Sequence, residues 1–137
     1  FTNIRQTEEG FRTQVRLADL TLNDTITLVG QNDEQDYGYY SLAWSSIEER
    51  AVMGFRLSEE QPAQVLWMFN PARLDGILIA NEPEYTYNSP QWDAWGNTLV
   101  FQQFRLKGVH APEIGYWQDG FDAPKFLTNG ILPQWLP

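Results

Sequence analysis

A tryptophan-centred repeat constrains this chain more than any other sequence feature. The segment Pro90-Gln91-Trp92 returns as Pro133-Gln134-Trp135, and a looser copy, Leu42-Ala43-Trp44, precedes both. The three tryptophans are 48 and 43 residues apart. Self-similarity with a period of roughly 40–50 residues is typical of arrays, solenoids and propellers, whose units bury their apolar faces against one another. The spacing therefore predicts a stack of repeated units.

Composition excludes several classes of function. The 137 residues are 42% hydrophobic and 15% aromatic, enough for a packed core, and their formal net charge is −9. An acidic surface repels phosphate backbones, so we expect no nucleic-acid partner. The sequence has no cysteine, which excludes disulfides and thiolate metal sites. It also lacks an apolar run of about 18 residues, so we expect no membrane span.

Short β-favouring segments separated by turn residues fill the chain, and none has sustained helical spacing. Such a series predicts an all-β array. The predicted strands are 1–5, 14–20, 25–29, 39–44, 51–57, 64–69, 76–80, 89–92, 98–106, 113–118 and 124–128. With the strands of one unit lettered a to d, the order is b-c-d, a-b-c-d, a-b-c-d, a. The units span about 1–36, 37–84 and 85–130, and a last strand a at about 131–135 belongs to the tail 131–137.

Within this pattern the chain resembles the TolB-type propeller repeat, a relative of the WD repeats. The matching residues are Pro90-Gln91-Trp92, Gly96, Leu99-Val100-Phe101, Ile114-Gly115-Tyr116-Trp117, Asp119-Gly120, Leu127-Thr128 and Pro133-Gln134-Trp135. The resemblance implies blades of four antiparallel strands arranged radially, here about three blades' worth of a six-bladed ring. One departure is that the turn after Trp44 has no glycine, and we expect a slightly longer turn there.

The resemblance also implies a function. It favours a non-enzymatic scaffold outside the cytoplasm, periplasmic or secreted, that binds a protein or a ligand. The alternative is the propeller portion of a prolyl-oligopeptidase-like hydrolase, or a lyase-type propeller enzyme. Because three blades are too few for a ring, we expect the ring to be closed by a second copy or by the remainder of a longer chain. In the homodimer, residues 131–137 of one copy would complete the unit at 1–36 of the other.

Strand a lies innermost in such a ring, so residues that enter it should face the central channel. The predicted channel-facing residues are Tyr39, Tyr40, Asn88, Ser89 and Gly130. The repeat tryptophans Trp44, Trp92 and Trp135 are predicted to be buried between blades. Trp95 lies in a turn instead, and we expect it to be an exposed aromatic residue available for binding.

The sequence offers little that points to catalysis. His110 is the only histidine, it lies beside Gly108 and Pro112, and no serine lies in a nucleophile elbow, so we expect a plain loop residue. Asp93, Asp119 and Asp122 are candidates for a carboxylate pair by type alone, and turn roles are the better interpretation. The acidic run 32–36 is interpreted as a solvated connector, with a calcium loop as the alternative. We therefore predict no catalytic, cofactor or metal residue.

Overall fold

The computed structural model describes residues 1–8, 10–29, 41–58, 60–61, 63–73 and 75–136. The acidic run 32–36 and two of the predicted channel residues, Tyr39 and Tyr40, lie outside these ranges. The described residues form eleven strands and no helix, which confirms the all-β class. They accordingly contain no helix long and apolar enough to cross a membrane.

The strands form three antiparallel sheets, each built from strands that are consecutive in the chain. Sheet A consists of β1 (Thr2–Thr7), β2 (Gly10–Asp19) and β3 (Asp24–Val29). Sheet B consists of β4 (Ser41–Ser45), β5 (Arg50–Arg56), β6 (Gln64–Asn70) and β7 (Asp75–Ala80). Sheet C consists of β8 (Tyr85–Trp92), β9 (Thr98–Arg105), β10 (Glu113–Gln118) and β11 (Lys125–Asn129). Sheets B and C thus have the strand content that the repeat predicts.

The prediction of a last strand at 131–135 is wrong. Residues 131–136, here called the C-terminal segment, form no strand. Two hydrogen bonds hold the segment near sheet C: Leu132 N to Gln102 Oε1 at 3.5 Å and Trp135 Nε1 to Gln91 O at 3.2 Å. Just before the segment, Gly130 N donates a hydrogen bond to Pro112 O at 2.9 Å. A strand needs the backbone of a partner, and no described strand offers one to this segment.

Sheet B lies between the other two sheets. Along β5, Ala51 and Met53 face sheet A while Val52 faces sheet C, as alternation in a strand requires. The B–C junction buries residues from both sheets: Val52, Leu66, Ile79, Ala80, Tyr87, Leu99, Phe101 and Trp117. The A–B junction has a smaller buried cluster: Val15, Ala51, Met53 and Phe69. Both faces of sheet B are therefore covered by apolar packing.

The repeat tryptophans are less buried than predicted. Trp92 is half-buried, but Trp44 is 40% exposed and Trp135 is 43% exposed. The guanidinium of Arg50 from the preceding sheet lies 4.5 Å from the centroid of the Trp92 ring. Among the described residues, sheet A has no strand and turn that correspond to β4 and the turn after it. Trp44 therefore has no arginine from the described part of the preceding sheet over its ring, and it borders a cavity of about 250 Å³. Trp135 has no further sheet beside it in the described chain.

The turns after Trp44 and Trp92 also differ from expectation. Trp44 pairs with Ala51, and Trp92 pairs with Leu99, so six residues lie between the paired positions in both cases. The expected longer turn is wrong. Each turn has one residue with positive φ, but at positions one residue apart: Gly96, four residues after Trp92, at 75°, and Glu49, five residues after Trp44, at 47°. A non-glycine residue at positive φ has a strained backbone, and Glu49 is such a residue.

Candidate functional site

A hollow lies where strands β4 and β8 meet the C-terminal segment. This β4–β8 cavity has a volume of about 540 Å³. Its lining comes from three places in the chain: Ser41 and Leu42, then Ser89, Pro90 and Gln91, then Leu132, Pro133, Gln134 and Trp135. A volume of this size is within the usual range of small-molecule and peptide pockets, about 300–1,000 Å³.

A bulge in β8 positions the middle part of the lining. Asn88 pairs with Gln102 and Gln91 pairs with Val100, so Ser89 and Pro90 together face only one residue of β9. Ser89 has a φ of 50°, and Pro90 is fully buried beside it. A bulge of this kind interrupts the ladder and turns backbone and side chain in a new direction. It brings Ser89 into the cavity wall.

The C-terminal segment forms the opposite wall. The indole of Trp135 donates a hydrogen bond to the backbone oxygen of Gln91 at 3.2 Å, and the backbone of Leu132 donates one to Gln102 at 3.5 Å. Proline rings and the indole supply apolar surface, while Ser41, Ser89 and the two glutamines supply hydroxyl and amide groups. This combination suits hydrogen bonding to amides and packing against small apolar groups.

No ionisable side chain is among the described residues that line the β4–β8 cavity. General acid–base catalysis needs a titratable group within hydrogen-bond reach of the reacting atoms. A serine nucleophile needs an adjacent base, and the lining serines, Ser41 and Ser89, have none among the residues that line the cavity with them. The described lining can therefore bind, and it offers no group that moves a proton.

The predicted channel residues divide into three groups. Ser89 lines the cavity, whereas Asn88 and Gly130 are not among its lining residues. Asn88 Oδ1 is buried without a hydrogen-bond partner, one residue before the bulge. Gly130 donates its backbone N–H to Pro112, outside the lining. Tyr39 and Tyr40 are outside the described residues. Sequence reasoning missed Gln91 and Gln134, although the repeated Pro-Gln-Trp triplet was the signal that could have identified them.

His110 lies elsewhere, in a second hollow of about 440 Å³ between the β7–β8 and β9–β10 connections. It lines that hollow together with Pro83, Glu84, Arg105, Leu106 and Lys107. It is not part of the lining that contains Ser41 and Ser89. His110 is exposed and lies in the connection between β9 and β10.

A buried carboxylate network lies in sheet C near this second hollow. Glu113 accepts hydrogen bonds from Gln103 Nε2 at 2.9 Å and from Arg105 Nε at 3.1 Å. Burial by itself would raise the pKa of Glu113, but these two bonds and the nearby positive charge hold the pKa below its ordinary value. Burial and the charge of Glu113 raise the pKa of Tyr85, whose ring faces the Arg105 guanidinium. The network fixes strands β8, β9 and β10 relative to one another.

A second carboxylate contact fixes the start of β8. The hydroxyl of Tyr87 donates a hydrogen bond to Glu82, and burial followed by this bond raises the pKa of Tyr87. Tyr87 is fully buried in the B–C junction. Its bond to Glu82 satisfies the polar end of a buried aromatic residue, as such residues generally require.

Two of the three predicted carboxylate candidates, Asp93 and Asp119, have structural roles. Asp93 Oδ1 accepts the backbone N–H groups of Asn97 at 3.0 Å and Thr98 at 3.3 Å, as expected for a turn aspartate. Asp119 forms a bidentate pair with Arg50, with distances of 2.8 and 2.9 Å, and joins sheet C to sheet B. The described residues contain no group of three or more histidine and carboxylate ligands arranged for a metal ion.

Trp95 is 73% exposed in the turn between β8 and β9. Ile47, in the turn between β4 and β5, is 65% exposed, and a Cβ placed on Gly96 would lie 3.5 Å from the Cβ of Ile47. The same Cβ would collide with the Ser45 hydroxyl, so the two turns are in close contact. Two large apolar side chains thus stand exposed at one end of sheets B and C.

Comparison with known proteins gives a likeness of fold. No family model and no curated protein matches the sequence. The structure is similar to the crystal structure of TolB from Acinetobacter baumannii, with a TM-score of 0.62 at 17% sequence identity. The similarity covers 90% of this chain and 28% of that chain, so this chain spans well under half of the TolB length. At this identity the likeness concerns the fold.

Proposed function

We propose that this chain is a section of a TolB-like β-propeller that acts as a non-enzymatic scaffold outside the cytoplasm and binds an uncharged, extended peptide segment. The three sheets are its blades, at about 1–36, 37–84 and 85–130. The likeness to TolB supports the fold. The resemblance to TolB-type repeats supports the location and the role of a binding module. Fold alone does not determine function, so the proposal depends on the site.

The single observation that carries the proposal is the composition of the β4–β8 cavity. Its described lining has hydroxyl, amide, proline and indole groups and no ionisable side chain. Uncharged donors and acceptors match the amides of a peptide backbone, and the rings of Pro133 and Trp135 match its small apolar side chains. A lyase that acts in this cavity would require a titratable group, which the described lining lacks.

We also propose that the propeller is completed by further blades, supplied by a second copy or by the remainder of a longer chain. Sheet A has three strands where sheets B and C have four, and the described residues leave the outer edge of β1 unpaired. The Pro-Gln-Trp triplet of the C-terminal segment repeats that of β8, the strand that occupies this edge in sheet C. Strand addition to such an edge is a common way to complete a sheet.

Binding by the cavity is tested with capped tetrapeptides that contain proline and glutamine and carry no charge. Titration of the isotope-labelled chain should perturb the amide signals of Ser41 and Gln91 and the indole signal of Trp135. The variant Trp135→Ala should weaken binding about tenfold, because it removes an aromatic wall. Trp95→Ala, which removes an exposed tryptophan outside the cavity, is the matched control and should leave affinity unchanged.

Two results would contradict the proposal. One is cleavage of the peptides, followed by mass spectrometry during the titration, which would favour the enzyme alternative. The other is an equal loss of binding in Trp135→Ala and Trp95→Ala. Ring completion is tested separately by light scattering at micromolar concentration. A compact monomer of 15.9 kDa that unfolds cooperatively would refute the incomplete ring.

A further inference from the structure

Three turns at one end of sheets B and C form a continuous surface that the proposed function does not use. They are residues 46–49, 93–97 and 119–122, here called the three-turn surface. Arg50 Nη2 donates a hydrogen bond of 2.6 Å to the backbone oxygen of Gly96, and the backbone of Asp119 donates one of 3.4 Å to Asn97. The first bond connects the residue that follows turn 46–49 to turn 93–97, and the second connects turn 93–97 to turn 119–122. The surface shares no residue with the lining of the β4–β8 cavity.

The centre of this surface is apolar and exposed. Trp95 and Ile47 project from adjacent turns, with exposed fractions of 73% and 65%. Exposed tryptophan is unusual on a solvated surface, and tryptophan is the residue type most enriched among binding hot spots. The pair therefore provides an apolar anchor that the described chain leaves uncovered.

The turn that carries Trp95 is held in place from several directions. Asp93 accepts backbone N–H groups of Asn97 and Thr98 through its carboxylate and that of Gly96 through its backbone oxygen at 3.1 Å. Arg50 of sheet B donates a hydrogen bond to the carbonyl of Gly96. A contact residue on a preorganised turn loses little conformational entropy when a partner binds. The fixed turn thus distinguishes Trp95 from an apolar residue at a flexible tip.

The border of the surface is negatively charged. The three turns contain five acidic residues and no lysine or arginine: Glu48, Glu49, Asp93, Asp119 and Asp122. The neighbouring Arg50 is committed to Asp119 and Gly96, and Lys125 lies over the Phe121 ring at 4.0 Å. Complementarity of charge selects a basic partner and steers its approach.

We infer that the three-turn surface is a docking site for a segment of a partner protein in which an apolar side chain is flanked by lysine or arginine. The apolar side chain packs against Trp95 and Ile47. The flanking cations face Glu48 and Glu49 on one side and Asp122 on the other. An anionic membrane surface is disfavoured because the same carboxylates repel it. This site is independent of the cavity and does not require that the cavity bind a peptide.

The test uses a capped hexapeptide in which two lysines flank a leucine–phenylalanine pair, and a matched peptide with glutamates in place of the lysines. Titration calorimetry with the whole chain should show binding of the lysine peptide and at least about tenfold weaker binding of the glutamate peptide. Trp95→Ala should weaken the lysine peptide about tenfold. Trp135→Ala, an equally drastic change at another exposed tryptophan, should have no effect.

The charge requirement is tested with the double variant Glu48→Gln/Asp122→Asn. It should weaken binding several-fold and flatten the dependence on salt, since screening acts on these exposed charges. The variant Glu8→Gln/Glu60→Gln changes the net charge equally at exposed positions at the opposite end of the sheets and should stay within about twofold of the wild type. Circular dichroism confirms that each variant keeps its sheets.

Three outcomes overturn the proposal. Equal binding of the lysine and glutamate peptides removes the charge argument. An unchanged affinity in Trp95→Ala removes the apolar anchor. Self-association of the wild type that Trp95→Ala abolishes shows that a second copy, rather than a basic partner, occupies the surface. None of these outcomes affects the cavity proposal, whose readout is the uncharged tetrapeptide.

Discussion

The A–B and B–C junctions place the same residue at the same register in different surroundings. Trp44 and Trp92 each lie at or next to the end of the first strand of their sheet and border the preceding sheet. Trp92 has the Arg50 guanidinium against its ring, while Trp44 borders a cavity of about 250 Å³ and stays 40% exposed. The difference shows that the burial of a repeat residue depends on what the neighbouring repeat contributes.

Arg50 accounts for much of this contrast. Its side chain is 10% exposed, it pairs with both carboxylate oxygens of Asp119, and it also binds the Gly96 carbonyl. It therefore links sheet B to two turns of sheet C and covers Trp92 at once. The described part of sheet A lacks a strand and turn equivalent to β4 and the turn after it, from which such an arginine could reach Trp44.

The largest expected effect comes from removing this link. Arg50→Met should lower the free energy of unfolding by about 2–3 kcal/mol, because three hydrogen bonds and a stacked cation are lost. Asp119 is half exposed and regains water, which keeps the cost below that of a fully buried pair. The measurement is urea unfolding followed by far-ultraviolet circular dichroism. Arg73→Met, at an exposed position, should stay within about 0.5 kcal/mol, and an equally small change in Arg50→Met would refute the linking role.

Truncation of each of the two tryptophans to alanine tests the comparison directly. Trp92→Ala should cost about 2 kcal/mol and Trp44→Ala about 1 kcal/mol, in proportion to the apolar area each buries. The same urea titration measures both. When each alanine substitution is made in an Arg50→Met background, the difference between the two unfolding costs should become smaller. The reason is that Trp92 then lacks the guanidinium that covers its ring. A Trp44→Ala cost that equals or exceeds the Trp92→Ala cost would show that the A–B junction is the tighter one.

A smaller effect is expected within sheet C, at Glu113. Its pKa lies below the ordinary value of 4.5, so its contribution to stability is fully present above about pH 4.5 and is lost as the pH falls through the lowered pKa. Glu113→Gln should therefore destabilise the chain at pH 7 and differ less from the wild type at pH 3. Unfolding midpoints from pH 3 to 7 measure this, with Glu60→Gln as the exposed control. A gap that widens in acid would reverse the assigned sign.

The smallest effect concerns the two turns. Glu49 has a φ of 47°, one position later in its turn than Gly96 in the turn of the neighbouring sheet. Glu49→Gly should stabilise the chain by about 0.5 kcal/mol, because glycine adopts positive φ without strain. Glu48→Gly, at a position outside the set with positive φ, should bring no gain. If both glycine variants lower the melting temperature equally, strain at Glu49 is not the reason for the difference between the turns.

The regular part of the fold was predictable from sequence. Alternation and turn residues located the strands to within a few residues, because a half-covered sheet needs that pattern locally. Two strands begin four residues earlier than predicted: β2 at Gly10 rather than Gln14, and β8 at Tyr85 rather than Ser89. The bulge at Ser89 and Pro90 interrupts the ladder there, so a proline that usually marks the limit of a strand lies inside one. The sequence showed the proline but not the bulge.

The candidate sites were less predictable because they depend on contacts between distant residues. Arg50 and Asp119 lie 69 residues apart, and nothing in their local sequence indicates that they pair. The C-terminal segment has the triplet of a strand but lacks a backbone partner in the described chain, so its pattern could not decide its conformation. The exposure of Trp95, by contrast, follows from its place in a turn beside Gly96, and here local sequence was sufficient.

The simple order of strands within each sheet has a consequence for how the chain reaches this structure. Every strand pairs only with strands adjacent in sequence, so each sheet can form by closing short hairpin loops. Low separation between contacting residues favours rapid folding. During synthesis we expect sheet A to form first and to wait, incompletely covered, until sheet B emerges and packs against it. Stability then grows with each added repeat, as in a one-dimensional chain of coupled units, and the earliest sheet stays the most weakly coupled.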